Sequence, residues 1–216
     1  MNKKKYKNSK IPPITINRLS IYYRCLERWV ETHEGKRLKT ISSNKISLIT
    51  GINSTQVRKD FAYFGEFGRR GIGYPIDHLY EALRKILGFD RELNILIIGA
   101  GNLGKALGEY KGFKKRGFFV KGIFDNNPQK IGKTVNGIFI YNIEEMEKYI
   151  EKWNIKIVAV AVPADSAQEI VNRVVRAGIK SILNFAPICL QIPTGIRINN
   201  VDLSIELERL SYYLSF

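Results

Sequence analysis

A glycine triplet in mid-chain constrains this sequence more than any other feature. Residues 93–107 read LNILIIGAGNLGKAL, a buried-strand pattern that runs into Gly-x-Gly-x-x-Gly and then into a helix pattern. A phosphate-binding turn of Gly99, Gly101 and Gly104 needs a strand before it and a helix N-terminus after it, because the helix's free amides and positive dipole end hold a pyrophosphate. Both flanks are present. A strand is predicted at 94–98, and a second strand pattern at 118–124 leads into Asp125, 21 residues after Gly104, where the motif's acidic ribose ligand belongs. Ala100, Asn102 and Leu103 complete the turn. The alternative is a glycine-rich turn in another kind of α/β domain. A carboxylate at 125 accepts a ribose hydroxyl and repels a 2′-phosphate, which favours NAD over NADP; Lys130 nearby weakens that preference.

What precedes this segment is basic. Residues 1–88 carry 18 Lys and Arg against 7 Asp and Glu, whereas residues 89–216 carry 17 against 13, so most of the net charge of +15 lies in the front of a 216-residue chain. That asymmetry favours two domains and a polyanionic partner, nucleic acid first, because Lys and Arg that neutralise phosphates release condensed counterions. No uninterrupted apolar run approaches the ~20 residues of a membrane span, and no apolar signal core follows the N-terminal lysines. A soluble, cytoplasmic protein is expected. Cys25 and Cys189 sit in apolar patterns of different domains and are read as reduced, buried thiols.

The front half reads as helices. Residues 1–10 hold five lysines and no acid, a tail that either brushes phosphates or is inert. From 17 to 32 apolar residues recur at three and four, giving an amphipathic helix with an Arg-rich opposite face and His33 at its C-terminal end. A shorter helix is predicted over 43–50, with Ser42, Ser43 and Asn44 as possible caps and Gly51 as the stop. Another follows over 54–64, where Asn53 and Gln56 resemble a capping box; Val57, Phe61 and Phe64 share one face and Ser54, Thr55, Gln56, Arg58 and Lys59 point elsewhere. Helix, tight turn and second helix have helix-turn-helix spacing. Gln reads adenine and Arg reads guanine through paired bonds in the major groove, so Ser54, Gln56, Arg58 and Lys59 are candidate DNA contacts. Residues 65–74, GEFGRRGIGY, predict a tight hairpin, a wing whose Arg69, Arg70 and Tyr74 reach the minor groove; solvated surface arginines are the alternative. Pro75 and Gly88 bracket a helix over 76–87, with His78 on its surface.

The back half alternates. Strands are predicted at 138–141, 156–161 and 181–184, and helices at 143–153 and 164–177, which makes a mostly parallel sheet covered on both faces. Ligands of such sheets bind at the carboxyl ends of the strands, so Val162, Pro163, Asn184 and Phe185 are expected to line the cofactor cleft. The last strand expected is 181–184. Beyond it, residues 201–216 form an amphipathic helix with Leu203, Leu207, Leu210 and Leu214 on one stripe, joined by Tyr212, Tyr213 and Phe216, which must be buried against something. No catalytic Ser/Lys/Tyr set, Walker lysine or metal-ligand cluster is evident, and both histidines lie in the front half, so the chain reads as a nucleotide-binding sensor with no catalytic site, metal or small-molecule substrate. Two other readings stay open. A dehydrogenase with an accessory basic domain would show substrate-dependent change in NADH absorbance, and a CoA-binding module is disfavoured by Asp125 and by the lack of a phosphohistidine site.

Four ordered blocks carry a resemblance: QVRKDFAYFGEFGRRGIGY (56–74), GAGNLGKAL (99–107), NFAP (184–187) and NVDLSIELERLSYYL (200–214). The chain resembles the Rex family of redox-sensing transcriptional repressors over all but its first ten residues. The resemblance implies a winged helix-turn-helix domain over 1–88, a Rossmann-type NAD(H) domain over 89–200 and a domain-swapped dimerisation helix over 201–216. It implies a homodimer on palindromic double-stranded operator DNA, repressing respiratory or fermentative genes while NAD⁺ predominates and leaving the DNA when NADH binds. On the matching motifs, Arg58 and Lys59 correspond to major-groove contacts and Arg70 to the wing arginine. The C-terminal helix would lodge between the two domains of the partner subunit. The same likeness implies a switch in which Arg24 and Tyr110 meet Asp202 of the swapped helix, with Tyr110 displaced by the reduced nicotinamide. The chain departs from the family pattern in its long basic tail and its doubled wing arginine, which leaves flanking DNA contacts open.

Overall fold

The computed structural model describes residues 11–65, 67–69 and 71–214, and the chain divides into two compact units, 1–90 and 91–216. The lysine-rich tail, Arg70 and Phe216 lie outside the described residues. In the first unit, α1 (Pro13–Trp29) starts four residues earlier than the periodicity suggests, since Pro13 suits the first helical position. It buries Leu19, Tyr22, Tyr23, Leu26 and Trp29. It also stops earlier than expected. Thr32 Oγ1 accepts the Gly35 N–H at 3.1 Å and caps a short α2 (His33–Arg37), so His33 opens a helix instead of closing one. In α3 (Ser43–Thr50), Ser42 is the cap, accepting the Lys45 N–H at 3.1 Å, and Gly51 ends the helix.

The next helix, α4 (Ser54–Ala62), lacks the expected capping box. Asn53 Oδ1 accepts the Thr55 N–H at 2.8 Å, while the Gln56 amide, instead of turning back to Asn53, donates forward to Asp60 at 2.9 Å. Two short strands, β1 (Thr40–Ile41) and β2 (Tyr74–Pro75), pair antiparallel at the base of the wing. The wing itself is closed by Arg69 and Gly73, which exchange both backbone bonds at 3.0 Å. Gly73 has φ 93° and approaches the Ile41 carbonyl so closely that a Cβ would lie 2.6 Å from it. Phe61 meets Tyr22, Phe67 and Tyr74 edge-on at 5.2, 5.7 and 5.2 Å, so one ring joins α4, α1 and the wing base. Finally α5 (Ile76–Ile86) packs Ile76, Leu79 and Leu83 into the same core, leaving His78 exposed.

The second unit is a seven-stranded sheet. Its strands β3 (Leu93–Ile98), β4 (Phe118–Asp125), β5 (Thr134–Val135), β6 (Ile138–Asn142), β7 (Ile157–Val160), β8 (Ser181–Asn184) and β9 (Arg197–Asn200) lie in the order β5-β6-β4-β3-β7-β8-β9, all parallel save β5. Neither β5 nor β9 is evident from pattern, and β9 follows the strand expected to be last. Helices α6 (Asn102–Glu109) and α7 (Lys111–Lys115) follow β3; α8 (Met146–Lys152), preceded by a 3-10 turn over Ile143–Glu145, and α9 (Ala164–Arg176) follow later. Leu96, Ile98, Val158 and Val160 meet α8 and α9 on one face, and Ile97, Ile123 and Ala159 meet Leu107 of α6 on the other. From β3 the chain winds outward to β4 and β6, then crosses back to β7, which puts the switch point of the topology beside Gly99.

The last element, α10 (Leu203–Leu214), has no buried residue; Leu203, Leu207, Leu210 and Leu214 are 68, 67, 62 and 88% exposed. Among the described residues, no helix is long and apolar enough to cross a membrane and no three His, Cys, Asp or Glu side chains gather as a metal site. The cysteines are less buried than their surroundings suggest: Cys25 is half-buried and Cys189 exposed.

Candidate functional site

The glycine turn is fixed by how tightly its backbone is packed. Gly99 leaves β3 with φ 102°, and a Cβ on it would lie 2.3 Å from the Ala161 carbonyl; one on Gly104 would lie 1.7 Å from the Gly99 carbonyl. Strand end and helix start therefore touch through bare backbone. Gly101 differs. It precedes α6 with φ −75°, and a Cβ there would meet nothing within 4 Å, so its bare side faces open space at the helix N-terminus. The first turn of any helix leaves backbone N–H groups without intrahelical acceptors, and no side chain of Gly101 caps α6 at this end. Asn102 and Leu103 are exposed there, and Ala100 is buried.

Asp125 closes one end of the site. Only 6% exposed, it accepts the Ala100 N–H at 2.7 Å, the Asn127 N–H at 2.8 Å and Lys130 Nζ at 3.0 Å. Burial pushes its carboxyl up, but the Asn127 and Ala100 amides and the lysine outweigh that and hold it below the usual carboxylate range. The result is a charged acceptor beside the turn. A cleft of about 310 Å³ runs from Gly99 and Gly101 past Asp125 and Lys130 to Val162 and Pro163. Ser166 and Ile170 of α9 also line it. Pattern reading missed both, although the position of α9 directly after Pro163 signals them. Asn184 and Phe185 do not line this cleft. Asn184 is fully buried and its amide is engaged by Ala186 and Asn200, while Phe185 packs on the sheet face that carries Ile97.

In the first unit, α4 exposes Thr55, Arg58 and Lys59 on one side; Ser54 and Gln56 are half-buried. The Arg58 guanidinium donates to Ser43 Oγ at 2.8 Å and to Thr55 Oγ1 at 2.9 Å, which holds a cation across the mouth of the helix-turn-helix. Between α4 and the wing lies a cleft of about 690 Å³ lined by Ser42, Ser43, Arg58, Gly68, Arg69 and Tyr74. Arg69 is exposed. Burial raises the Tyr74 hydroxyl and nearby Arg58 lowers it, with burial the stronger. An exposed cation pair, Arg58 and Arg69, lining this cleft suits a phosphate backbone and base edges.

The three expected switch residues sit apart from these bonds. Arg24 is exposed on α1, and Tyr110, 57% exposed between α6 and α7, meets Phe113 edge-on at 5.1 Å. Asp202 accepts the Ser204 N–H at 2.9 Å and so caps α10, and the Ser204 hydroxyl and amide hold its carboxyl below the usual range.

Comparisons with known proteins cover both units. A family model described as "CoA binding domain" matches residues 90–188, and one described as "Putative DNA-binding protein N-terminus" matches residues 10–62. A "Redox-sensing transcriptional repressor Rex" from Carboxydothermus hydrogenoformans is 46% identical over 95% of this chain and 97% of its own length, and one from Syntrophomonas wolfei is 47% identical over 95% and 96%. A solved structure described as "RSP in complex with beta-NAD+ and operator DNA" superposes with a TM-score of 0.89 at 41% identity, covering 96% of this chain and 94% of that one. A second, of RSP in complex with beta-NADH, has a TM-score of 0.85 at 40% identity, covering 96% and 95%.

Proposed function

The chain belongs to the Rex family of redox-sensing transcriptional repressors, regulators rather than enzymes, and on that premise we propose that it is a homodimeric, NAD(H)-responsive repressor of respiratory or fermentative genes. Residues 1–88 bind palindromic operator DNA, residues 89–200 bind NAD⁺ or NADH, and residues 201–216 join two copies. The protein acts in the cytoplasm, where bacterial DNA is transcribed. The observation that carries this reading is the match along nearly the whole chain to a solved structure containing both β-NAD⁺ and operator DNA.

The residues fit a dinucleotide. Gly101 offers bare backbone to a pyrophosphate at the α6 N-terminus, with Ala100, Asn102 and Leu103 around it, and the charged Asp125 is suited to accept a ribose hydroxyl. Val162 and Pro163 form the opposite wall, and Asn184 and Phe185 act by holding the β8 end rather than by lining the cleft. On DNA, Arg58 and Lys59 reach the major groove, supported by Ser54 and Gln56, and Arg69, Arg70 and Tyr74 serve the wing. The exposed leucines of α10 are covered by a second copy. In the DNA-binding form Arg24 and Tyr110 meet the partner's Asp202, and NADH binding separates them. A ligand shifts this equilibrium only by binding the two dimer forms unequally, so the sensing groups lie where the oxidised and reduced nicotinamide differ in charge.

A gel shift on a duplex enriched from a randomised pool tests the reading, with NAD⁺, NADH, NADP⁺ or CoA added in separate lanes. Binding with NAD⁺, release by NADH and indifference to NADP⁺ and CoA are expected. Release by CoA alone favours the CoA-module reading, and failure to enrich any duplex refutes the repressor.

A further inference from the structure

One buried carboxylate ties α4 to α1. Asp60 is fully buried, and its oxygens accept five bonds: from Arg18 Nε at 2.6 Å and a terminal Arg18 nitrogen at 2.7 Å, from the Tyr22 hydroxyl at 2.8 Å, from Thr15 Oγ1 at 3.2 Å and from Gln56 Nε2 at 2.9 Å. Four of these donors belong to α1. The fifth, Gln56, lies one turn before Asp60 on α4 itself, on the flank of the exposed face that carries Thr55, Arg58 and Lys59.

The chemistry of that fifth bond is one-sided. Burial pushes the Asp60 carboxyl up, but bonds from Arg18, Tyr22 and Gln56 outweigh it, so the group is ionised. An ionised carboxylate only accepts. Gln56 therefore has to turn its NH₂ toward Asp60 and its carbonyl oxygen away from the core, and a free glutamine amide has no such preference. One N–H of the NH₂ group stays unused by Asp60. Together they make a donor and an acceptor, the pair that matches N7 and N6 of an adenine edge.

We propose that Asp60 is a positioning residue for base reading: without touching DNA, it fixes the amide of Gln56 so that α4 enters the groove with one orientation of donor and acceptor. The proposal rests on the repressor reading above and adds a specificity determinant to it. It separates two tasks of the buried cluster. Arg18, Tyr22 and Thr15 hold the helices together, and the Gln56 bond alone governs which base is preferred.

The test uses the full-length protein with NAD⁺ and a duplex enriched from a randomised pool by the unaltered protein, competed against every single-base substitution of that duplex. Gln56→Ala should lose about tenfold discrimination at one symmetric pair of positions. In Asp60→Asn the neutral side chain can present either its oxygen or its NH₂ to Gln56, so the Gln56 amide is no longer held one way and discrimination should fall at the same positions, and the double variant should lose no more than either single one. Tyr22→Phe leaves the Gln56 bond in place and should lower the melting temperature with the base profile unchanged. If Asp60→Asn does not fold, Gln56→Glu tests the bond from its other side, because two facing carboxylates cannot bond and the profile should change at the same positions. Additive losses, or an Asp60→Asn loss spread evenly over all positions, would reduce Asp60 to a helix anchor and overturn the proposal. Failure of the unaltered protein to enrich any duplex is a separate result that removes the repressor reading, and this one with it.

Discussion

Gly101 and Gly104 stand three residues apart in one motif, yet their alanine variants should fail for different reasons. At Gly104 the added methyl would lie 1.7 Å from the Gly99 carbonyl oxygen, so the end of β3 and the start of α6 must part by about 1.3 Å to reach even the tightest tolerable contact of 3.0 Å. Overpacking against backbone costs up to about 3 kcal/mol. For a unit of this size that lowers the melting temperature by roughly 10 °C, and NADH binding should be lost along with the turn. Gly101→Ala meets no atom within 4 Å and keeps an allowed φ of −75°. Its melting temperature should stay the same or rise slightly, since alanine lowers the entropy of the unfolded chain. Its methyl would nevertheless occupy the space that a pyrophosphate needs, and a ligand held off by about 1 Å should bind about a hundredfold more weakly, roughly 2.7 kcal/mol. Thermal melts with NADH titration by calorimetry separate the two. Wild-type NADH affinity in Gly101→Ala would refute the approach of the dinucleotide to this backbone, and an unchanged melt in Gly104→Ala would refute the claim that the turn cannot yield.

Three further outcomes are expected. Arg58→Ala should weaken operator binding by roughly 1–3 kcal/mol and relax base preference, whereas Lys59→Ala should act evenly across sequences and reduce the salt slope by about one; equal binding by all three proteins in anisotropy titrations would remove α4 from the readout. The carboxyls of Asp60 and Asp125 are held below their ordinary range in the folded chain, so the stability they add is present above about pH 4 and is lost as pH falls through their lowered values. Asp60→Asn should cost about 3 kcal/mol at pH 7 and less in acid; urea melts in which the gap to wild type stays constant down to pH 3 would contradict this. At a fixed excess of NAD⁺, Tyr110→Phe should weaken DNA binding and Asp202→Ala should weaken it more. Asp202→Asn, which keeps an acceptor for the Ser204 amide, tells loss of the cap from loss of the switch, and wild-type binding by all of them places the switch elsewhere.

Features set by local backbone geometry were readable in the sequence. The turn at Gly99–Gly104 is marked by its glycine spacing between a strand pattern and a helix pattern, and Gly51 ends its helix by itself. Features set by neighbours were not. Strand β9 reads RINN, with one apolar residue, and is a strand because β8 offers it a free edge. Gln56 and Asp60 stand one turn apart in α4, but the burial of that carboxylate depends on where α1 brings Arg18, Tyr22 and Thr15, which no pattern within α4 encodes. Asn184 looks like a polar group at a ligand-binding strand end, but the turn at Ala186 takes its amide first. His33 follows an apolar run and suggests an ending, until the Thr32 hydroxyl starts a new helix before it.

Asp125 faces the cleft and at the same time accepts the Ala100 N–H inside the glycine turn. On the function proposed above, cofactor choice and turn geometry rest on one side chain. Anyone wishing to re-engineer this domain for a 2′-phosphorylated dinucleotide would begin by removing this charge to free Lys130, and would thereby leave a fully buried backbone amide without its acceptor. A neutral residue that still accepts, such as asparagine, is the smallest change that spares the turn, and a switch of preference would have to be built from there with a second cation.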